Sequence, residues 1–172
     1  MTSKLFGYRL AQATGISGAA WLSGNIAALS TIATPALVQS QTDDHKSPSL
    51  LAKQWKALFD IGKRKNPPIA AAAATSLAYL AWSVRRGSPL YKATTYSRSG
   101  LYIAAAVLTV GIVPYTLILM DGTNHALLKK AQSTSDADKE VSALVERWNS
   151  LNLGRSIFPL AGALCAVVAT IL

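Results

Sequence analysis

Residues 100–120 read GLYIAAAVLTVGIVPYTLILM, an uninterrupted stretch without a charge. At about 1.5 Å rise per residue, a helix of that length crosses roughly 30 Å, the hydrocarbon thickness of a bilayer. Residues 10–33 and 67–84 are equally free of charge, and residues 153–172 carry one, Arg155. With 51% hydrophobic and 15% charged residues over 172 positions, the chain therefore reads as a single membrane domain with four transmembrane helices. Lys4 and Arg9 before the first stretch imitate the start of a secretory signal. Its apolar run exceeds the roughly 7–15 residues of such a signal, however, so it is expected to stay as a span.

The small residues support tight packing of these spans. Gly15, Gly18 and Gly24 punctuate the first, and Pro67-Pro68 opens the second ahead of five alanines, Ala70 to Ala74. Small side chains let helix backbones approach where no hydrophobic force drives them together. The expected fold is all-α, a four-transmembrane-helix bundle with two amphipathic loop helices capping one end.

Those two helices are read from periodicity. In residues 48–65, Leu51, Trp55, Leu58 and Phe59 repeat at helical spacing, with Lys53, Lys56, Asp60 and Lys63 elsewhere around the turn. In residues 136–152, Val141, Leu144, Val145 and Trp148 form a similar stripe leading into the last span. With four spans both segments fall on one side of the membrane, where interfacial helices could roof an apolar chamber.

The net charge of +9 does not point to nucleic acid, because the basic residues are scattered and bracket the apolar runs. Membrane anchoring is the expected use. The N-terminus and the 85–99 connection share Lys4, Arg9, Arg85, Arg86, Lys92 and Arg98 with no acid, and all eight acids fall on the other side. Arg85 and Arg86 compete with Lys63, Arg64 and Lys65 in setting orientation, and the balance leans to a cytosolic N-terminus. Cys165 is the single cysteine, so no intrachain disulfide forms and no redox compartment is indicated. Asn-x-Ser/Thr sequons are also absent.

Polar side chains within spans are costly and are candidates for function. Asn25 follows Trp21 by four residues on one face, as an interhelical hydrogen bond or a substrate contact. Trp148, Asn152 and Arg155 share a face that Pro159 continues. A guanidinium, an amide and an indole so placed could grip an oxygenated aromatic ring, with the cation stabilising an enolate or phenolate. An interfacial Arg reaching for headgroups beside a belt Trp is the plainer alternative. His125 follows Asp121 by four residues, so the carboxylate could orient the imidazole as a general base. A helix terminus with a headgroup-contacting His fits the same residues.

Only two histidines, His45 and His125, are present, and no Cys/His/carboxylate cluster has metal-ligand spacing. Nucleotide-binding glycine motifs, a serine-nucleophile elbow and a thiol redox pair are missing as well. An enzyme built on this chain is expected to use neither metal nor nucleotide.

Several short elements, taken together, carry a resemblance. They are Gln54-Trp55, Phe59, Gly62, Pro67-Pro68, Pro114-Tyr115-Thr116, Asn124-His125-Ala126-Leu127, and Trp148 through Arg155 with Pro159. This combination resembles the fungal anthrone oxygenase family, within the DUF1772 group of small four-span membrane proteins, and its most specific part is the W-x-x-x-N-x-x-R run from Trp148 to Arg155. The resemblance implies a cofactor-independent oxygenase that turns polyketide anthrones into anthraquinones, with dioxygen as co-substrate, in an internal fungal membrane such as the endoplasmic reticulum. On that implication, His125 oriented by Asp121 removes the anthrone proton, and Arg155 and Asn152 stabilise the enolate. Trp148 and Trp55 would wall the rings, with Tyr115 and Asn25 supplying hydrogen bonds. The expected partners are an aromatic polyketide and the lipid bilayer, with homo-oligomers compatible with the small-residue faces. A non-catalytic membrane scaffold for a biosynthetic complex is the competing reading. A lipophilic carrier is less favoured, because no inverted repeat of broken helices is visible.

Overall fold

The computed structural model describes residues 2–43, 47–132 and 140–172. His45 and the first four residues of the 136–152 segment lie outside them. Among the described residues every regular element is helical. The elements are α1 (Thr2–Ala28), a π-helical turn (Leu29–Ala33), α2 (Thr34–Asp43), α3 (Pro48–Ser83), α4 (Arg98–Val110), α5 (Ile112–Leu119), α6 (Asp121–Gln132) and α7 (Glu140–Ile171).

Three continuous helical stretches are long and apolar enough to cross a membrane: Leu5–Asp43, Arg98–Leu119 and Glu140–Ile171. The expected span at residues 67–84 is the second half of α3 and is not among them. Two boundaries also differ from the sequence reading. The first helix does not end near residue 33 but runs on to Asp43. Its one breaker, Pro35, directly follows the π turn, and its missing N–H leaves a carbonyl of that turn without a helical donor. Likewise, α3 passes through Pro67 and Pro68 instead of starting there, so the 48–65 segment and the alanine run form one helix. The carbonyls of Lys63 and Arg64 lose their helical N–H partners at that point.

The described chain forms two compact units. Unit 1 comprises Met1–Ser23, Asn66–Ile112 and Ile157–Leu172, and unit 2 comprises Gly24–Lys65 and Val113–Ser156.

In unit 1, segments of α1, α3, α4 and α7 enclose Leu77, Leu80, Tyr102, Ala105, Ala166 and Ala169. Their contacts rest on missing side chains. A Cβ on Gly18 would lie 3.0 Å from the Ala73 methyl, and one on Gly162 would lie 2.8 Å from the Ala105 carbonyl oxygen and 2.9 Å from Thr109 Oγ1. Arg98, expected as a loop anchor, is instead buried here. Its Nε–H donates to the Ala169 carbonyl at 3.0 Å, near the C-terminal end of α7, and Nη2 donates to the Tyr8 hydroxyl at 3.1 Å. Nη1 reaches the Leu90 carbonyl at 3.4 Å. At the start of α4, Ser97 caps the helix by accepting from the Gly100 N–H at 3.1 Å.

In unit 2 the two amphipathic stripes meet. Leu51, Ala52 and Trp55 of α3 pack with Val141, Val145 and Trp148 of α7, together with Met120 and Leu127. Each stripe thus finds its apolar partner within the protein.

The glycine contacts make a direct prediction. Gly162→Ala forces a methyl into the Ala105 carbonyl and should destabilise the protein by about 1–3 kcal/mol. Gly24→Ala, where a Cβ meets nothing within 4 Å, should be neutral or slightly stabilising. Thermal melts of the two variants in the same detergent check this, and equal melting temperatures would contradict it.

Candidate functional site

The site grows from Asn152, which is fully buried in unit 2. Its Nδ2 donates to the Ile26 carbonyl at 2.9 Å and to Ser30 Oγ at 2.8 Å. A carbonyl only accepts, so the amide nitrogen must face Ile26, and the amide oxygen must face the other way. That oxygen accepts from Arg155 Nη2 at 2.7 Å. Ser30 lies in the π turn and is buried, and its hydroxyl donates in turn to the Asn149 carbonyl at 3.1 Å. The π turn, a form often found at functional positions, thereby ties the first helical stretch to α7 at two points three residues apart.

Arg155 is the outcome of this chain. Nη1 donates to Thr116 Oγ1 at 2.9 Å and Nη2 to Asn152, which holds the guanidinium plane from two sides. Its Nε is enclosed and has no hydrogen-bond partner among the described residues. No carboxylate of the described residues pairs with it. A Cβ on Gly154 would lie 2.8 Å from the Tyr115 hydroxyl, so the glycine lets Tyr115 press onto α7 one residue before Arg155. A half-buried cation with an unused donor and no counterion among the described residues is suited to meeting an anion or a developing negative charge.

Trp55 and Trp148 pack together, with one polar contact on the Trp148 indole. Trp55 and Trp148 meet edge to face with centroids 5.6 Å apart and planes at 86°, and Phe59 stacks on Trp55 at 5.1 Å. Trp148 Nε1–H donates to Asn124 Oδ1 at 3.0 Å, while the Trp55 indole N–H, fully buried, has no partner among the described residues.

The structure brings Arg155 and Asn152 into contact, Trp55 against Trp148, and Tyr115 against Gly154. It does not bring His125 and Asp121 into this cluster. The two sit on the first turns of α6 with side chains 73% and 55% exposed. His125 Nδ1 lies 3.1 Å from Asp121 Oδ1 and 3.0 Å from the Asp121 carbonyl. Both oxygens accept only, so the proton of the neutral ring sits on Nδ1, and Nε2 carries the free lone pair. Asn25 is partly buried on α1, one residue before the Ile26 carbonyl. No group of three His, Cys, Asp or Glu able to hold a metal occurs among the described residues.

Sequence reasoning missed Ser30, Thr116 and Asn124 as members of the site. Asn124 is adjacent to His125 in sequence but on another face, and α6 turns Asn124 inward to Trp148 and His125 outward. Ser30 and Thr116 carry no local signal beyond being hydroxyls inside apolar runs.

A double-mutant cycle tests the Ser30 to Asn152 link. Ser30→Ala leaves one Asn152 N–H unpaired and takes the second donor from the Asn149 carbonyl, which keeps its helical N–H, an expected loss of about 1–3 kcal/mol. Adding it to Asn152→Ala should cost less than the sum of the two, with a coupling of about 0.5–3 kcal/mol. Additive changes in melting would show the bond to be without weight.

Comparison with known proteins gives the site its context. A family model described as anthrone oxygenase matches residues 55–165. That range holds Trp55, Tyr115, Asp121, His125, Trp148, Asn152 and Arg155, whereas Asn25 and Ser30 precede it. The anthrone oxygenase encC of Aspergillus fumigatus is 32% identical, over 94% of this chain and 93% of its own. The anthrone oxygenase gedH of Aspergillus terreus is 37% identical over 83% and 87%, respectively. A noranthrone monooxygenase of Aspergillus flavus is 30% identical over 86% and 67%. No solved structure matches the chain significantly. On these matches, the relatives covering 83% to 94% of its length, the chain belongs to the anthrone oxygenase family.

Proposed function

We propose that the protein is a cofactor-independent membrane oxygenase that oxidises a polyketide anthrone to an anthraquinone with dioxygen, and that Arg155 stabilises the anthrone anion. The observation that carries this reading is the half-buried guanidinium of Arg155, held by Asn152 and Thr116, with its enclosed Nε–H unpartnered and no carboxylate paired with it among the described residues. The family and the names of the relatives support the substrate class.

The chemistry needs little from the protein. The methylene of an anthrone, flanked by two rings and conjugated to the carbonyl, gives up a proton to form an electron-rich anion. That anion passes one electron to dioxygen, and the carbon radical and superoxide combine to form a C–O bond. Protonation gives a hydroperoxide. Removal of the remaining hydrogen on that carbon with cleavage of the O–O bond then yields the quinone and water, so one oxygen atom enters the product and one leaves as water. Arg155 stabilises the oxyanion that develops on the anthrone carbonyl. Because both N–H groups of Asn152 are already engaged, its part is to orient Arg155. His125, exposed on α6 outside the Arg155 cluster with Nδ1 held by Asp121 and Nε2 open, takes up the methylene proton through water in this reading and releases it to solvent. Trp148 and Trp55, fully buried against each other, stiffen the contact of α3 with α7 behind the site in this reading, with Tyr115 and Asn25 as further polar contacts.

In this reading the second half of α3 is a fourth span beside the three apolar stretches, in an internal membrane where flat polyketides and dioxygen both partition.

Quinone formation from emodin anthrone under air, by detergent-purified and metal-stripped protein against a protein-free blank, tests the proposal. Wild type should turn over well above the blank. Arg155→Ala should lower the rate about 100- to 1,000-fold, and His125→Ala by about 100-fold or more. Rates equal to the blank, or activity restored only by added metal, would overturn cofactor independence. Full activity in either variant would remove that residue from the mechanism.

A further inference from the structure

The two halves of unit 1 that flank the 84–97 connection form a groove of about 460 Å³, lined by Ala78, Ala81, Trp82, Ile103, Ala106 and Val107 and closed at one end by Arg85 and Ser99. Trp82, Ile103 and Val107 are 59%, 53% and 62% exposed. α3 and α4 run antiparallel here, since Ser99 Oγ, at the start of α4, donates to the Ala81 carbonyl near the end of α3 at 2.9 Å. The groove therefore has a polar end, at the connection, and an apolar end about two helical turns deeper.

Arg85 is fixed at the polar end. Its guanidinium lies 4.3 Å from the centroid of the Trp82 ring, and Nη1 donates to the Trp82 carbonyl at 2.6 Å. It is exposed, and Arg86 follows it. Unit 1 contains Lys4, Arg9, Arg85, Arg86, Lys92 and Arg98 and not a single Asp or Glu. No acidic side chain of unit 1 is therefore available to neutralise Arg85.

We propose that this groove holds one acyl chain of an anionic phospholipid, whose phosphate and headgroup charge are met by Arg85 and Arg86. The occupant follows from the two ends together. An apolar furrow on an apolar helix surface takes a hydrocarbon chain, and the Arg85 guanidinium at its mouth, followed in sequence by Arg86 in a unit without acidic side chains, takes an anionic headgroup. Trp82, amphipathic and beside the arginine, marks the level of the headgroups. This inference needs the membrane setting but is independent of the oxygenase reading, because no residue of the Arg155 cluster takes part.

Native mass spectrometry of the full chain, released from detergent with equal amounts of dioleoyl phosphatidylserine and dioleoyl phosphatidylcholine, tests it. Wild type should retain one phosphatidylserine in preference to phosphatidylcholine. Arg85→Gln should reduce that retention about fivefold, as expected for one basic residue at an anionic headgroup, and leave phosphatidylcholine unchanged. Ala78→Phe, an exposed position, fills the groove and should reduce both lipids, whereas Arg64→Gln in unit 2 should change neither. Equal retention of the two lipids, an unaltered Arg85→Gln variant, or the same loss in Arg64→Gln would overturn the proposal. Displacement of the wild-type phosphatidylserine by emodin anthrone would also overturn it and assign the groove to substrate.

Discussion

The amide of Asn152 is the contact on which unit 2 depends. It is buried, it faces an acceptor-only backbone carbonyl on one side, and it passes that constraint to Arg155 on the other. Where water is scarce, an unpaired amide costs the full price of its desolvation, so the arrangement with every Asn152 hydrogen bond made is strongly preferred over any flipped one. The position of the guanidinium is thus set by a backbone oxygen on α1, through a side chain of α7. Ser30 reinforces this by accepting from the same amide while donating to α7 itself. The π turn carries that hydroxyl and precedes the only proline of the first helical stretch.

The two enclosed arginines show how differently one residue type is used. Arg98 spends its Nε and both terminal nitrogens on the Ala169 and Leu90 carbonyls and the Tyr8 hydroxyl. Lying near the end of α7, it satisfies a carbonyl that the helix leaves open and sits well in the negative end of the helix dipole. Every nitrogen of that guanidinium has a protein acceptor. Arg155 has Nη contacts to one amide and one hydroxyl, neither of them charged, and keeps Nε–H free. The first is a fastener and the second is a reserve of positive charge.

Much of this was legible in the sequence, and the limits have physical causes. The long uncharged runs and the two amphipathic stripes announce themselves through composition and period, and Leu51, Trp55, Val141, Val145 and Trp148 are indeed buried. Pro67-Pro68 misled as a boundary because a proline is as much at home in a first turn as it is disruptive further in, and only the helix before it decides which applies. Polar Gln39, Gln41 and Asp43 read as loop, though nothing among them breaks a helix. At the site, Trp148, Asn152 and Arg155 share a face by spacing alone, but Ser30, Thr116 and Asn124 enter through neighbours distant in the chain. The spacing of Asp121 and His125 correctly gave their contact, whereas their exposure depends on which side of α6 meets Trp148, a fact held in the partner and not in the pair.

The glycine and alanine contacts of unit 1 have a consequence for how this chain can change over generations. At Gly15, Gly18 and Gly162 the side chain is already as small as chemistry allows, and the neighbouring Leu77, Ala73 and Ala105 are within touching distance of where any larger one would begin. An ordinary apolar core can err in either direction, by a void or by crowding, and drift back and forth between the two. Here only crowding is open, so mutational drift at these positions has a floor and no compensating partner below it. Variation is pushed instead toward the outward faces, where the surrounding medium accepts almost any apolar shape.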